Sequence, residues 1–231
     1  MSSAPAMPRR RQLLLALPGF ALAGLACRAS TTESAASRPL TYVALGASDS
    51  AGVGAAAPEQ ESWPAVLHGR LPAGSRLVNL GISGSLLRQA LDQQLPIALD
   101  SAPDLVTVWL AVNDYGARVP LEPYLADLDR LVGELRSPTK AVVLVGNIPD
   151  LGAIPAAGRF DLRFVDRWNA GIDDVVRRHQ ATLVDLRATW QEVREHPEYI
   201  SSDGFHPSTI GYQRLADVFY ASAAPLLGLP A

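Results

Sequence analysis

A serine and, far along the chain, an aspartate–histidine pair have the types and spacing needed for nucleophilic chemistry. Ser48 comes directly after the apolar run 42–45 and two small residues, at the expected carboxyl end of a buried strand. Asp203 and His206 are three residues apart with a glycine between them. That spacing lets the carboxylate meet one imidazole nitrogen and leaves the other to take a proton from a serine hydroxyl. A serine activated in this way can attack a carbonyl carbon.

Such an attack also needs hydrogen-bond donors for the negative charge that develops on the carbonyl oxygen. Asn113 follows the predicted strand 105–110 and carries a side-chain amide. Gly84 follows the predicted strand 76–80, where a glycine lets its backbone N–H approach a ligand closely, and Gly81 is a rival for this role. Ligands of open α/β sheets bind at the carboxyl ends of the strands, so we expect all these residues to meet at one edge of the sheet.

The elements that must position these residues alternate along the chain in a regular way. The predicted strands are residues 42–45, 76–80, 105–110, 141–145 and 182–186. The predicted helices are residues 63–71, 86–95, 121–136, 161–180 and 208–227. This alternation predicts one α/β domain over residues 41–228, with a five-stranded parallel sheet and helices on both faces. Right-handed crossovers leave few topologies, and the flavodoxin-like strand order is among them.

Composition excludes several classes of function. The chain has 231 residues, of which 48% are hydrophobic and 19% charged, with a formal net charge of −3. A weakly acidic protein has no electrostatic footprint for nucleic acid, so we expect no nucleic-acid partner. Neither the G-x-G-x-x-G pattern nor a P-loop lysine occurs, which argues against nucleotide binding. The single cysteine, Cys27, excludes a disulfide framework or a cysteine metal cluster within one chain.

Residues 1–26 have the layout of an export signal, with three arginines before an apolar segment too short and too interrupted for a membrane span. The arginines fit a twin-arginine signal, and equally a chance cluster before a general Sec signal. Cys27 ends this segment in a sequence that resembles the lipobox of bacterial lipoproteins, although two positions depart from that pattern. Residues 27–40 resemble the small, polar tether that follows a lipid anchor. We therefore expect an exported protein, either a cell-envelope lipoprotein attached to the membrane through lipidated Cys27 or a secreted protein.

Four sequence blocks together resemble the SGNH hydrolases, also called GDSL esterases and lipases. The blocks LGASDSAGVG, NLGISG, WLAVND and DGFHPSTIGY occur in the order and approximate spacing of that family. The resemblance implies a flavodoxin-like three-layer α/β/α sandwich and a serine esterase that uses no metal or organic cofactor. It implies Ser48 as the nucleophile and His206 as a general base oriented by Asp203. The oxyanion hole would consist of the N–H groups of Ser48 and Gly84 and the side-chain amide of Asn113.

One position departs from the family pattern. The family usually has Asp before the serine nucleophile, whereas here Ala47 precedes Ser48 and Asp49 follows it. A second frame takes Asp49-Ser50 as the motif, but ungapped alignment of residues 43–52 favours Ser48. Whatever the family's aspartate does beside the nucleophile must then be absent or done by another group.

These residues predict an exported, monomeric serine esterase that cleaves small-molecule or lipid esters through an acyl-enzyme. The Pro- and Gly-rich stretch 147–159 is expected to form one wall of an acyl pocket, which favours short-to-medium acyl esters, thioesters or lysophospholipids. The family also contains carbohydrate O-acetylesterases, so acetylated polysaccharide or peptidoglycan is the alternative substrate. An aromatic surface groove would favour the sugar, and a narrow apolar pocket the acyl chain. A further alternative is a non-catalytic cell-surface binding protein on the same fold, in which one or more of the five site residues would be replaced.

Overall fold

Five parallel strands form a single sheet at the centre of the domain. They are β1 Thr41–Gly46, β2 Arg76–Asn79, β3 Leu105–Trp109, β4 Val142–Gly146 and β5 Thr182–Val184. Their order is β2-β1-β3-β4-β5, and every neighbouring pair is parallel. This is the flavodoxin-like order, so the predicted sheet is confirmed. β3 is buried along its whole length, as expected for a strand covered by helices on both faces.

The computed structural model describes residues 38–230, apart from the side chain of Arg159. The predicted export signal, Cys27 and the predicted tether up to residue 37 lie outside the described residues, so those predictions stay predictions. Between residues 38 and 230, no helix is long and apolar enough to cross a membrane.

The α-helices follow the strands in the alternation that the sequence predicts. They are α1 Ser48–Ala51, α2 Pro58–Glu61, α3 Trp63–His68, α4 Leu87–Gln93, α5 Leu95–Asp100, α6 Ala111–Gly116, α7 Leu121–Arg136, α8 Val165–Arg178, α9 Leu186–Thr189 and α10 Thr209–Leu227. Short 3₁₀ turns occur at Leu151–Ala153, Pro155–Arg159, Leu162–Phe164, Trp190–Arg194 and Pro197–Tyr199. Helices α3 and α10 pack together against one face of the sheet, and α4, α5, α7 and α8 cover the other. The three-layer sandwich is therefore confirmed.

Several predicted boundaries differ from the observed ones for local physical reasons. The helix predicted over 86–95 is two helices, because Pro96 lacks the N–H that would continue α4. The strand predicted to reach residue 110 ends at Trp109, and the unpredicted helix α6 starts at Ala111. The strand predicted to reach residue 186 ends at Val184, because the Asp185 carboxylate accepts the N–H of Ala188 and starts α9.

The stretch 147–159, predicted as a functional loop, is held in place by a buried carboxylate. Asp150 accepts hydrogen bonds from the guanidinium groups of Arg187 and Arg194, each at 2.5 Å. It also accepts the N–H of Gly152 at 3.2 Å, which starts the first 3₁₀ turn. These bonds fasten the segment that follows β4 to the segment that follows β5.

Candidate active site

Ser48 lies at the point where β1 ends and α1 begins, and its hydroxyl faces the imidazole of His206. Ser48 Oγ and His206 Nε2 are 3.0 Å apart, a distance at which the hydroxyl donates a hydrogen bond to a neutral ring nitrogen. Ser48 is 7% exposed. The structure thus brings together two residues that are 158 positions apart in the chain. The arrangement lets His206 withdraw the serine proton.

The opposite ring nitrogen of His206 is bound to Asp203, as the spacing predicts. Asp203 Oδ2 is 2.6 Å from His206 Nδ1, and Asp203 Oδ1 accepts the N–H groups of Phe205 and His206 and the hydroxyl of Ser201. Partial burial works to raise the pKa of Asp203, but these hydrogen bonds outweigh burial and hold the pKa below its ordinary value. The carboxylate is therefore ionised at neutral pH, where it fixes the ring orientation and stabilises an imidazolium ion.

The two glycines that compete for the oxyanion role have different surroundings. The N–H of Gly81 donates to the Asn79 side chain at 3.1 Å, and a Cβ at residue 81 would lie 2.7 Å from the backbone nitrogen of Ala51. Gly84 has a φ of +78°, a Cβ there would meet nothing within 4 Å, and among residues 38–230 its N–H has no acceptor. Gly81 therefore serves close packing against α1, and the geometry supports Gly84 as the donor.

Asn113 lies on α6 next to the Gly84 segment. Its side-chain amide donates one hydrogen bond to the Ser85 carbonyl at 3.0 Å, and an amide has a second N–H to offer. The N–H of Ser48 is at the first position of α1, where a helix leaves its N–H groups without intrahelical partners. These three donors follow the ends of β1, β2 and β3, at the carboxyl edge of the sheet.

Ser50, the nucleophile of the second sequence frame, is unsuited to that role. Its side chain is fully buried, and a Cβ at Gly46 would lie only 1.9 Å from its hydroxyl oxygen, so it packs tightly under β1. Within the described part of the chain its hydroxyl has no hydrogen-bond partner, His206 included. The geometry supports the frame with Ser48.

Gln94 and Asp114 hold the segments around the site in place, and no sequence pattern indicates the role of Gln94. Its side chain accepts the N–H of Gly46 and donates to the Gly46 carbonyl, both at 3.0 Å, just before the nucleophile. The same amide nitrogen lies 3.4 Å from the Ser85 hydroxyl. Asp114 accepts the N–H of Leu87 at 3.0 Å and so holds the start of α4. A glutamine in an ordinary amphipathic helix carries no signal for such contacts, because they depend on a distant strand.

Comparison with known proteins agrees with this geometry. The sequence model of the GDSL-like lipase/acylhydrolase family matches residues 44–214. The chain belongs to this family. It is therefore an SGNH hydrolase and a carboxylic ester hydrolase. An acetylxylan esterase from Geobacillus stearothermophilus is 27% identical to it over 158 residues, which are 63% of this chain and 71% of that protein.

Solved structures match the fold of this hydrolase over most of its described length. TesA has a TM-score of 0.68 at 25% identity, and the match covers 80% of this chain and 99% of TesA. An acetylxylan esterase from Geobacillus stearothermophilus has a TM-score of 0.68 at 21% identity, over 84% of this chain and 97% of that one. The psychrotrophic esterase EstA from a Pseudoalteromonas species has a TM-score of 0.66 at 21% identity, over 82% and 99%. These matches confirm the fold expected from the four sequence blocks.

Asp49, which follows the nucleophile of this hydrolase, lies in apolar surroundings. It borders a cavity of about 20 Å³ whose walls include Trp109, Leu151 and Trp190. It also borders a second cavity, of about 10 Å³, together with Ala47. Burial raises the pKa of Asp49 to about 6, although the nearby His206 ring works in the opposite direction. Among residues 38–230, no other residue donates a hydrogen bond to its carboxyl group.

Proposed function

We propose that this protein is an exported serine esterase that hydrolyses short acyl esters through an acyl-enzyme. The observation that carries the proposal is the pair of contacts that His206 makes, with Nε2 at 3.0 Å from Ser48 Oγ and Nδ1 at 2.6 Å from Asp203. A hydroxyl, a base and an orienting carboxylate in hydrogen-bond contact are the requirements for an activated nucleophile. All five predicted site residues are present, and Ser48, His206 and Asp203 are in contact, which argues against a binding protein with a broken site.

The geometry supports the following sequence of steps. His206 takes the proton of Ser48 as Oγ attacks the ester carbonyl carbon, and the carbonyl oxygen becomes an oxyanion. The N–H groups of Ser48 and Gly84 and the amide of Asn113 donate to that oxyanion. The imidazolium then gives its proton to the leaving alcohol, and an acyl-enzyme remains on Ser48. Water, deprotonated by His206, attacks the acyl-enzyme and releases the carboxylic acid.

The small size of the cavities that border Asp49, the residue after the nucleophile, favours a short acyl group. The loop predicted to line an acyl pocket does line a cavity beside Asp49, through Pro149, Leu151 and Ile154, but its volume is about 20 Å³. That space is close to the size of one water molecule, so it suits a methyl group rather than a long chain. Hydrolysis of acetyl esters, including acetylated carbohydrate, is therefore favoured over thioesters of longer acids or lysophospholipids. The acetylxylan esterase relative supports the same acyl group.

Initial rates of the purified protein on p-nitrophenyl esters from acetyl to palmitoyl test this proposal. We expect the highest kcat/KM on acetyl or propionyl esters, and Ser48→Ala should lower kcat by about 10⁴–10⁶-fold. Ser50→Ala, which changes a buried hydroxyl two residues away, is the matched control and should keep most of the activity. Near-native rates in Ser48→Ala would show that the nucleophile is wrongly assigned, and an optimum at medium chain length would contradict the short acyl group.

Export and attachment are further parts of the proposal. They are supported by the three arginines before the apolar segment and by the lipobox-like sequence that ends at Cys27. In a bacterial host, the full chain should be cleaved before Cys27 and recovered with membranes, and Cys27→Ala should release it. Recovery of the uncleaved wild-type chain from the cytoplasm would contradict export. We expect the released protein to be a monomer in size-exclusion chromatography with light scattering.

A further inference from the structure

A large groove lined by aromatic rings lies beside the proposed active site. Its volume is about 800 Å³, and its walls include Tyr115, Arg118, Phe160, Asp161, Phe164 and Trp168. We call it the aromatic groove. Tyr115 is two residues after Asn113 on α6, so one short helix serves both the proposed oxyanion hole and the groove. A volume of this size is in the range of ligand pockets, whereas the cavities beside Asp49 are far smaller.

A row of packed rings connects the groove to the proposed catalytic base. Phe205 meets the His206 ring edge-on at 5.1 Å between centroids, and Phe160 stacks on Phe205 at 5.9 Å. Tyr115 stacks on Phe160 at 6.3 Å and meets Trp168 edge-on at 5.2 Å. The ring of Phe205 therefore separates the groove wall at Phe160 from His206. An ester that reacts at Ser48 can place either its acyl part or its alcohol part in the aromatic groove.

We propose that the aromatic groove binds the carbohydrate part of an acetylated saccharide, with Phe164 as a stacking platform and Arg118 as a hydrogen-bond donor to sugar oxygens. This inference rests on the proposed esterase function and specifies its alcohol. The aromatic groove is assigned to the alcohol part of the ester because the cavities beside Asp49 leave room only for a short acyl group.

The exposed ring of Phe164 is the first support for a sugar. Phe164 is 47% exposed, so about half of this apolar side chain faces solvent. Arg163 lies over the ring at 5.3 Å and also binds both carboxylate oxygens of Asp161, which limits the movement of the ring. Tyr115 donates a hydrogen bond to the Asp161 carbonyl and fastens this segment to α6. A rigid, exposed ring on the wall of a groove offers a flat face to the C–H surface of a pyranose.

Arg118 is the second support. Its side chain is exposed, and within residues 38–230 its guanidinium forms no hydrogen bond or ion pair with the protein. A guanidinium has five N–H donors, which are suited to the hydroxyl and ring oxygens of a sugar. Its backbone has a φ of +59°, the left-handed conformation that ends α6, where the N–H of Val119 donates to the Asp114 carbonyl. An alkyl chain would gain nothing from these donors, so rings mixed with charged groups favour a carbohydrate over a long acyl chain.

The test compares esters that differ only in their alcohol or only in their acyl group. The probes are O-acetylated xylotetraose, O-acetylated chitotetraose, p-nitrophenyl acetate and p-nitrophenyl decanoate. The variants are Phe164→Ala, Arg118→Ala and Phe164→Trp, which keeps a ring. Ile97→Ala on α5 is the matched control, because Ile97 is 49% exposed but lies outside the groove. Thermal melting of each variant checks that it is folded.

We expect the wild type to release acetate from at least one of the two saccharides. Phe164→Ala and Arg118→Ala should each lower kcat/KM on that saccharide at least tenfold more than on p-nitrophenyl acetate, mainly through KM. Phe164→Trp should keep most of the activity that Phe164→Ala loses. Ile97→Ala should leave kcat/KM unchanged on both substrates. Isothermal titration of Ser48→Ala with the deacetylated tetrasaccharide should show binding that Phe164→Ala weakens.

Three outcomes would overturn this inference. Losses confined to p-nitrophenyl decanoate would make the groove an acyl site. Equal effects of the groove variants on all four esters would show that the groove does not recognise the alcohol. Failure of the wild type to release acetate from either saccharide would refute the carbohydrate assignment while leaving the esterase intact. A lack of Ser48-dependent hydrolysis of p-nitrophenyl acetate would instead refute the proposed function itself.

Discussion

Replacing Asp49 by asparagine should stabilise the protein above pH 6, although Asp49 is adjacent to the nucleophile. Its carboxyl group borders apolar walls, and in the described chain no other residue donates a hydrogen bond to it. Burial raises its pKa from 3.8 to about 6, while His206 favours the charged form and Asp203 opposes it. An ionised carboxylate in this position therefore costs free energy that a neutral amide of the same shape avoids.

The sign and size of the effect follow from proton linkage. The folded state binds the Asp49 proton more tightly than the unfolded state does, so this contribution to stability is complete below about pH 4. It is lost as the pH rises through 6. A rise in pKa from 3.8 to about 6 corresponds to about 3 kcal/mol, at 1.36 kcal/mol for each pKa unit. Asp49→Asn should therefore differ little from the wild type at pH 4 and be up to about 3 kcal/mol more stable at pH 8.

Urea unfolding of both proteins at pH 4, 5, 6, 7 and 8 measures this difference directly. Asp114→Asn is an informative control, because burial also raises the pKa of Asp114 to about 6 but its carboxylate accepts the N–H of Leu87. Its difference curve should bend over the same pH range and lie lower throughout, since the amide weakens the start of α4. A difference for Asp49→Asn that is flat from pH 4 to 8, or negative at pH 8, would refute the idea of an unpaired carboxyl group that is partly buried.

Three further substitutions test the framework around the site. Gln94→Leu should lower the free energy of unfolding by about 2–4 kcal/mol, because the N–H of Gly46 loses its acceptor. The value of kcat should also fall. Denaturant titration measures the first effect and initial rates measure the second. Asp150→Asn should lower stability by about 1–3 kcal/mol at pH 7. Burial works to raise the pKa of Asp150, but its two arginines outweigh burial and hold the pKa below its ordinary value. The stability lost in Asp150→Asn should therefore become smaller as the pH falls below 4, which an acid titration of unfolding measures. Gly81→Ala should reduce kcat, because its Cβ would lie 2.8 Å from Ser50 Cβ and displace α1; a rate equal to that of the wild type would contradict the close packing.

The sheet was predictable because its signals are local. Each strand is a short apolar run, and runs such as 105–110 are hydrophobic at successive positions because helices cover both faces of the strand. The helix α6 was missed because its six residues are too few for a periodic pattern. Strand ends also shifted by a residue or two, since capping groups such as Asp185 decide where a strand stops.

The candidate site was predictable in its chemistry but not in its surroundings. Types and spacing pointed to Ser48, Asp203 and His206, and the structure brings these residues into contact. The choice between Gly84 and Gly81 depends on which N–H is already engaged by a side chain, and a sequence does not show this. The aromatic groove was also hidden, because its rings come from α6, the segment after β4 and α8, and only the fold brings them together.

Two features have a common structural origin. One is that the aspartate follows the nucleophile, as Asp49, instead of preceding it at residue 47. The other is the raised pKa of Asp49. Because α1 begins at Ser48, the chain turns so sharply that Ala47 and Asp49 border the same cavity, together with Asn113. A carboxyl group at residue 49 therefore lies in the space next to residue 47, where the family usually has its aspartate. The other walls of this space are Trp109, Leu110 and Val112, and burial there raises the pKa of the carboxyl group. The departure from the family motif thus keeps a carboxyl group beside the nucleophile at a cost in stability above pH 6.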